Sequence, residues 1–485
     1  MAEIAVIGCG QAGLVVATAF ASKGHHVTGI DLDRRKIEAC RMGVAPIDEP
    51  GLDELLTQGL ASGRLTFLDQ YPEYPERIPA EFVFIAVGTP TSPSGASDLH
   101  ALKSAITRMA PALRDDAIVV NKSTVPVGTC DEMVRLLRRS GAPKATVVSN
   151  PEFLQEGDAI HNFIEPDRIV LGSNDPDSLE RVAGLYEDFG ATVVQCDVRT
   201  AEMIKYASNA FLAMKVSFIN EMASICEVLG ADVSGVAHGM GMDRRIGAQF
   251  LRAGIGWGGS CFPKDVSALE YAASLHGVRA QLLRGVQETN RDQRRQVLRK
   301  LRGVLGRLET ARVVVLGASF KPNTSDVRES PALEVASLLR LGGAEVRVVD
   351  PHVVPESVPA QFPYLDVTGD LMAAAQDADA LVLATEWPEF IDLPLEDLAG
   401  VMRRPLIVDG RNVLDDRAVR AAGFIYRCIG RPNAEGGGVT LPEDRADERL
   451  DGRITDWPTV ERAERADRER IPSRNGRQAA ALASD

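Results

Sequence analysis

The chain opens on an unbroken apolar run at residues 4–7, which leads into a glycine turn, Gly8-Cys9-Gly10-Gln11-Ala12-Gly13. An almost wholly apolar stretch follows at 14–22. The short run predicts a buried strand, and the longer stretch a helix packed on it. A second strand, 26–30, ends at Asp31. Further strand-like runs lie at 82–87, 117–121, 146–149 and 168–171, with helical patterns between several of them. From about residue 200 to 301 the period changes. Residues 201–229 carry Ala, Met, Phe and Ile at three- and four-residue spacing. That spacing predicts a long helix, with its Met and Phe side chains mostly in the core. The first pattern returns at 312–316, with Gly317 and a loop, a helix at 332–341, and a strand at 345–349 ending in Asp350. Later strands are expected at 381–384 and 406–408.

Strands alternating with helices predict parallel, doubly wound sheets. The fold class is therefore α/β, with two Rossmann-like parallel-sheet domains joined by a helical middle domain. The expected boundaries are 1–200, 201–305 and 306–432. Residues 433–485 contain Gly436-Gly437-Gly438 and then a mixed-charge run with few large apolar residues. A disordered or weakly helical tail is expected there.

Composition narrows the function. A chain of 485 residues has room for two or three domains. Its net charge of −14 argues against nucleic acid or anionic membrane as a partner. No apolar run reaches the length of a membrane span. The start lacks the pattern of a secretory signal, so the cytoplasm is expected. Seven cysteines are scattered without metal-ligand spacing, so no metal is expected and the thiols are read as free.

The fingerprint Gly8, Gly10, Gly13 sits between a strand and a helix, as dinucleotide binding requires. Gly8 permits the turn, Gly10 admits a pyrophosphate, and Gly13 lets the helix approach the sheet. Asp31 ends the next strand, where a carboxylate bonds the ribose hydroxyls of NAD. Arg34, Arg35 and Lys36 follow closely. Two loops, Val87-Gly88-Thr89-Pro90 and the one containing Ser123, Thr124 and Val125, lie at carboxyl ends of strands, where ligands bind in open sheets. The stretch Gly254-Ile255-Gly256-Trp257-Gly258-Gly259-Ser260-Cys261-Phe262-Pro263-Lys264-Asp265 presents one thiol in a glycine-rich loop that can wrap a ligand. A helix is expected from about Val266. A cysteine near a helix N-terminus and a lysine can have a lowered pKa. A packing loop with an incidental cysteine fits the same residues equally well.

Taken together, the motifs resemble the UDP-glucose/GDP-mannose dehydrogenase family. The resemblance rests on the glycine fingerprint, residues 122–129, Asn150-Pro151-Glu152-Phe153-Leu154-Gln155-Glu156-Gly157 and Lys205-Tyr206-Ala207-Ser208-Asn209-Ala210-Phe211. It continues through the Cys261 loop, Phe320-Lys321-Pro322-Asn323-Thr324, Arg328-Glu329-Ser330 and Asp409-Gly410-Arg411. The motifs occur in family order as far as about residue 430.

The resemblance implies two successive NAD-dependent oxidations that take a sugar alcohol to the acid. Cys261 would be the nucleophile, forming a thiohemiacetal and then a thioester. Lys205 and Asn209 would stabilise oxyanions. Asp265 would orient or activate water, Glu156 would be the general base, and Thr124 would position a water. NAD would meet Gly8, Gly10, Gln11, Ala12, Gly13, Asp31, Lys36, Thr89, Pro90, Thr124, Glu156, Lys264 and Arg328. The nucleotide sugar would meet Glu152, Phe153, Leu154, Glu156, Lys205, Asn209 and Arg245, then Phe250, Arg252, Gly254, Gly256, Trp257, Gly258, Phe320, Lys321 and Arg411. Gln11 and Ala12 stand where the family has an aromatic residue and a valine. The form of the Cys261 loop and the Asp409 motif favour UDP-glucose as the substrate. UDP-N-acetylmannosamine, GDP-mannose and a non-catalytic nucleotide-sugar-binding regulator are the alternatives. A homodimer built on the helical segment is expected.

Overall fold

The computed structural model describes residues 1–72 and 76–432; the expectation for the 433–485 tail lies outside them. The first eight strands are β1 (Glu3–Ile7), β2 (His26–Ile30), β3 (Leu65–Leu68), β4 (Phe82–Ile85), β5 (Ile118–Asn121), β6 (Thr146–Ser149), β7 (Arg168–Gly172) and β8 (Thr192–Cys196). They form one sheet in the order β3-β2-β1-β4-β5-β6-β7-β8. All neighbours are parallel except β6 and β7, which meet antiparallel at Ser149 and Gly172. A parallel sheet must be covered on both faces. Here one face, with Phe84 of β4 on it, packs under Phe20, Phe163, Tyr186 and Phe189, and the other under Leu102, Ile106, Met109 and Leu137.

The second sheet contains β9 (Arg312–Leu316), β10 (Glu345–Val349), β11 (Asp366–Thr368), β12 (Ala380–Leu383), β13 (Leu406–Asp409) and β14 (Ile425–Cys428). Its order is β11-β10-β9-β12-β13-β14, and every pair is parallel. Both sheets reverse direction beside their first strand, between β1 and β4 and between β9 and β12. A crevice opens at such a point, outside the carboxyl ends of the strands.

Helix α1 (Gln11–Ser22) follows β1. The long helix α2 (Val198–Leu229) leaves the first sheet and packs against α3 (Phe262–Leu275) and α4 (Gln281–Leu305). Asp197 caps α2 by accepting from the Arg199 and Thr200 amides, and Gly230 ends it in the left-handed region. Ala210 and Ala213 of α2 meet Trp257, Val266 of α3 and Val286 of α4 in a small apolar core. Among the described residues no helix is long and apolar enough to cross a membrane.

Two expectations are corrected. The helix after the glycine loop begins at Phe262 and not near Val266, so Cys261 itself is the residue before its first turn. The Met and Phe side chains of α2 are not all core: Met203, Phe211 and Phe218 are exposed. They lie on a face that no other part of the described chain covers.

Candidate active site

The carboxyl ends of β1, β4, β5 and β6 and the start of α3 surround one cavity of about 840 Å³. Its wall includes Gly10, Gln11 and Ala12 after β1, residues 86–91 after β4, Lys122, Ser123 and Thr124 after β5, and Glu152, Leu154 and Glu156 after β6. The Cys261 loop contributes Gly259, Ser260, Cys261 and Lys264. Arg328 and Glu329 reach in from the loop after β9.

The fingerprint loop is held by contacts that only glycine allows. Gly8 has φ +95°, and a Cβ there would meet the Ala86 carbonyl oxygen at 2.6 Å. A Cβ on Gly13 would lie 1.8 Å from the Gly8 oxygen, so any other residue would push α1 off the sheet. Gly10 differs, because a Cβ there would meet no protein atom within 4 Å and would project into open space. Gly10 also precedes α1 without a side-chain cap. An uncapped helix start beside an open glycine fits the diphosphate of a dinucleotide. Asp31 does not line the cavity. Its carboxylate accepts from the Cys9 amide at 2.8 Å and the Asp33 amide at 2.9 Å, and so braces the loop. Gln11 donates to buried Glu49 at 2.8 Å, and Glu49 accepts from the Gly157 and Ala159 amides at 2.8 and 2.7 Å. This ties the fingerprint to the loop that carries Glu156.

Cys261 stands at the N-terminus of α3. Its Sγ is 3.6 Å from Ser260 Oγ, which donates to Glu156 Oε1 at 2.7 Å. Burial pushes the thiol above its usual pKa, and Glu152 adds to this; Lys205 and Lys264 pull the other way without prevailing. The lowered thiol pKa expected from the sequence is therefore not found, because removal from water outweighs both lysines.

Behind the cysteine lies a buried ionic layer. Lys205 Nζ pairs with Glu152 Oε1 at 2.9 Å and sits over the Phe153 ring at 5.3 Å. Burial opposes its charge, but Glu152, Cys261 and Asp265 outweigh burial and hold the ammonium above the ordinary lysine value. Asp265 is fully buried, accepting from Asn209 at 2.6 Å and Lys264 at 2.5 Å. Lys205, Asn209 and Asp265 do not line the cavity and form the layer beneath it. Thr124 is on the wall, with its carbonyl accepting from Thr89 Oγ1 at 2.8 Å.

Several other expected contacts are placed elsewhere. Trp257 is buried, donates from Nε1 to Ser217 at 2.9 Å and belongs to the core between α2 and α3. The reason is that its indole N–H needs a partner and finds one away from the cleft. Gly254, Gly256 and Gly258 also lie off the cavity wall. A Cβ on them would strike the Gly410 oxygen at 2.8 Å, Asn290 Oδ1 at 2.4 Å and the Glu329 oxygen at 2.1 Å. Their bareness serves close packing of the loop against α4 and the second sheet. Arg245 is exposed and paired with Asp243. Arg252 is exposed, and Phe250 holds φ +64° beside Phe262. Arg411 donates to the carbonyls of Ala384 at 2.6 Å and Phe320 at 3.2 Å, which stitches the loops after β9, β12 and β13 together. Lys321 is partly buried, and burial pulls its ammonium below the ordinary value against the opposing charges of Glu156 and Glu49.

Sequence reasoning gave no role to three groups. Lys122 is buried on the cavity wall, donates to Asn150 at 3.0 Å, and is pushed down to about 7, chiefly by burial. Ser260 bridges Glu156 and the thiol. Asp326 grips Arg328 and faces Glu156. Ser260 had a visible signal in its place beside the reactive cysteine, and Lys122 in the motif at residues 122–129. Among the described residues no cluster of His, Cys, Asp or Glu is placed to hold a metal ion.

Comparison with known proteins decides the family. The sequence matches the NAD binding domain of the UDP-glucose/GDP-mannose dehydrogenase family over residues 2–190, the central domain over 199–292 and the UDP binding domain over 314–416. The chain belongs to this family. It is 43% identical over 447 residues to UDP-glucose 6-dehydrogenase TuaD of Bacillus subtilis (strain 168), covering 92% of this chain and 96% of that one. It is 44% identical to UDP-glucose 6-dehydrogenase of Rhizobium meliloti (strain 1021), covering 89% of this chain and all of that one. Among solved structures, the UDP-glucose dehydrogenase of Pyrobaculum islandicum superposes with a TM-score of 0.82 at 37% identity, covering 89% of this chain and 98% of that one.

Proposed function

We propose that this member of the family oxidises UDP-glucose to UDP-glucuronate with NAD, using Cys261 as a covalent nucleophile. The observation that carries the reading is that one cavity holds both the open glycine turn of β1 and the cysteine at the start of α3. The similarity to UDP-glucose 6-dehydrogenases over nine-tenths of the chain supports that sugar over UDP-N-acetylmannosamine or GDP-mannose. It also weighs against a binding protein without catalysis.

Bound NAD supplies the hydride acceptor for both oxidations. The chain supplies the rest. Oxidation of the C6 alcohol gives an aldehyde. The Cys261 thiolate adds to its carbonyl carbon, forming a C–S bond and an oxyanion. Lys205 Nζ is a fixed positive charge beneath the thiol, and Asn209 lies on the same face of α2, four residues on. A preorganised cation in a buried layer stabilises such an oxyanion at little reorganisation cost. Loss of a second hydride leaves a thioester on Cys261. Water attacks that carbonyl, the C–S bond breaks, and the acid leaves with regeneration of the thiol. Glu156 is the general base for this water. Its carboxyl is raised to about 7, by burial first and then by Asp326, which suits proton transfer near neutral pH. Thr124 and Asp265 orient the water and the lysine layer. Arg411 holds the loops around the nucleotide site through the carbonyls of Ala384 and Phe320, and Arg328, on the cavity wall, lies on the NAD side.

The same reading divides the chain near residues 200 and 305, where the first sheet has ended at Cys196 and α4 ends at Leu305. It also makes the chain a homodimer. Phe211, Phe218 and Ile225 recur every seven residues on one exposed face of α2, with Val228 and Leu229 beyond them. Such a stripe matches a helix-to-helix interface. NADH release from UDP-glucose, with the other two nucleotide sugars assayed in parallel, tests the function, and no release from UDP-glucose overturns it.

A further inference from the structure

Glu156 and Asp326 come from opposite sides of the cleft. Glu156 follows β6 of the first sheet, and Asp326 lies in the loop after β9 of the second. Both side chains are only 12% exposed. Arg328 donates to both, at 2.5 Å to Asp326 Oδ2 and 3.3 Å to Glu156 Oε1, and its Nε lies 2.9 Å from Asp326 Oδ1. One nitrogen, Arg328 Nη2, therefore gathers both carboxyls across the cleft. Two buried carboxyls on one guanidinium have a single compensating charge between them, which favours one retained proton on the pair.

We propose that Asp326 is a positioning residue that shares one proton with Glu156 across the cleft and so sets when Glu156 is an acid and when it is a base. The inference rests on the reading of Glu156 as the base in thioester hydrolysis. Arg328 decides which partner keeps the proton. Its fork closes on Asp326 and, against the cost of burial, holds that carboxyl below its usual range. The proton therefore resides on Glu156, whose remaining donors are Ser260 Oγ and the more distant contact with Arg328. The other charges in the surroundings are Lys321 from the Asp326 loop, with Glu49 and Asp158 around it, and Cys261 at the start of α3. Lys321 is a cation and favours ionised Glu156, so it does not account for the retained proton.

The arrangement has a consequence for assembly of the site. Glu156 has its working proton affinity only when the loop after β9 is seated against the first sheet. With the two sheets apart, Asp326 would no longer face Glu156, and its carboxyl would return toward the ordinary range.

The test is a pH titration of the Glu156 carboxyl by infrared difference spectroscopy on the full chain without nucleotide. The Glu156→Gln variant identifies the band. Asp326→Asn removes a like charge and releases Arg328 toward Glu156, and both effects lower the Glu156 midpoint. A downward shift of about one pH unit or more is expected, with restoration by Asp326→Glu. The pH at which kcat for UDP-glucose reaches half its maximum should fall by the same amount. An unchanged midpoint in Asp326→Asn, even with reduced turnover, would make Asp326 a structural residue and overturn the proposal. If Asp326→Asn does not fold, Asp326→Ser removes the same carboxyl, and its Glu156 midpoint must fall likewise. A wild-type protein that shows the infrared shifts but does not oxidise UDP-glucose would refute the functional reading and leave the shared proton in place.

Discussion

At the scale of single residues, the site separates the group that reacts from the groups that hold charge. Cys261 faces the cavity, whereas Lys205, Asn209 and Asp265 form a buried layer behind it. The layer is matched internally. Lys205 pairs with Glu152, and Lys264 with Asp265, so neither cation is buried alone. This accounts for the thiol. Its surroundings are nearly neutral in sum, and burial raises its pKa despite two nearby lysines. Deprotonation must then be coupled to binding or to attack. Cys261→Ser keeps an oxygen nucleophile that is a far poorer leaving group. The expected outcome is loss of acid formation by at least about a thousandfold, with a covalent ester visible by intact-protein mass spectrometry. Acid production at the wild-type rate would remove Cys261 from the mechanism.

At the scale of elements, the strands legible in the sequence were the ones buried on both faces. β1, β4, β5 and β9 are continuous apolar runs, and their side chains are buried almost throughout. The four strands that the pattern did not reveal, β3, β8, β11 and β14, are the edges of the two sheets. An edge strand is half solvated and carries a weaker pattern: Thr192–Cys196 has no fully buried residue, and Asp366–Thr368 has one. The cavity wall was legible for a related reason. Turns after central strands must be glycine-rich or small, and Gly8, Gly10, Gly88 and Thr124 mark them. What pairs across the cleft was not legible. Glu49 with Gln11, and Asp326 with Glu156, are separated by 38 and 170 residues with no shared periodicity. The sequence of the glycine loop suits a ligand wrap and a packing seam equally, and in the structure Gly254, Gly256 and Gly258 pack against protein. Gly258→Ala tests the packing role. Its Cβ would lie 2.1 Å from the Glu329 oxygen and 2.7 Å from Pro331 Cδ. A stability loss of about 1–3 kcal/mol in urea unfolding is expected, together with lower turnover, since the loop carries Cys261. Unchanged stability would show that the seam is loose.

At the scale of the whole molecule, the exposed stripe on α2 is the largest departure from the expectation of a simple core. Phe211 is 57% exposed and Leu229 76% exposed, on a helix that otherwise packs tightly. Covering that face with a second copy would place the partner against α2, the helix that also carries Lys205 and Asn209. Sedimentation equilibrium should give twice the chain mass. A Phe211→Glu, Phe218→Glu double variant should give the single-chain mass, and an unaltered dimer mass in that variant would place the interface elsewhere.

The two sheets and the helices between them converge on one cavity, and the proposed chemistry takes place there. The most direct measurement supplies UDP-glucose in limiting amount with excess NAD and counts the NADH released. About two NADH per UDP-glucose are expected, with UDP-glucuronate as the end product, because one thiol carries the sugar from aldehyde to acid. One NADH per sugar with free aldehyde, or none from folded and reduced protein, would contradict this chemistry.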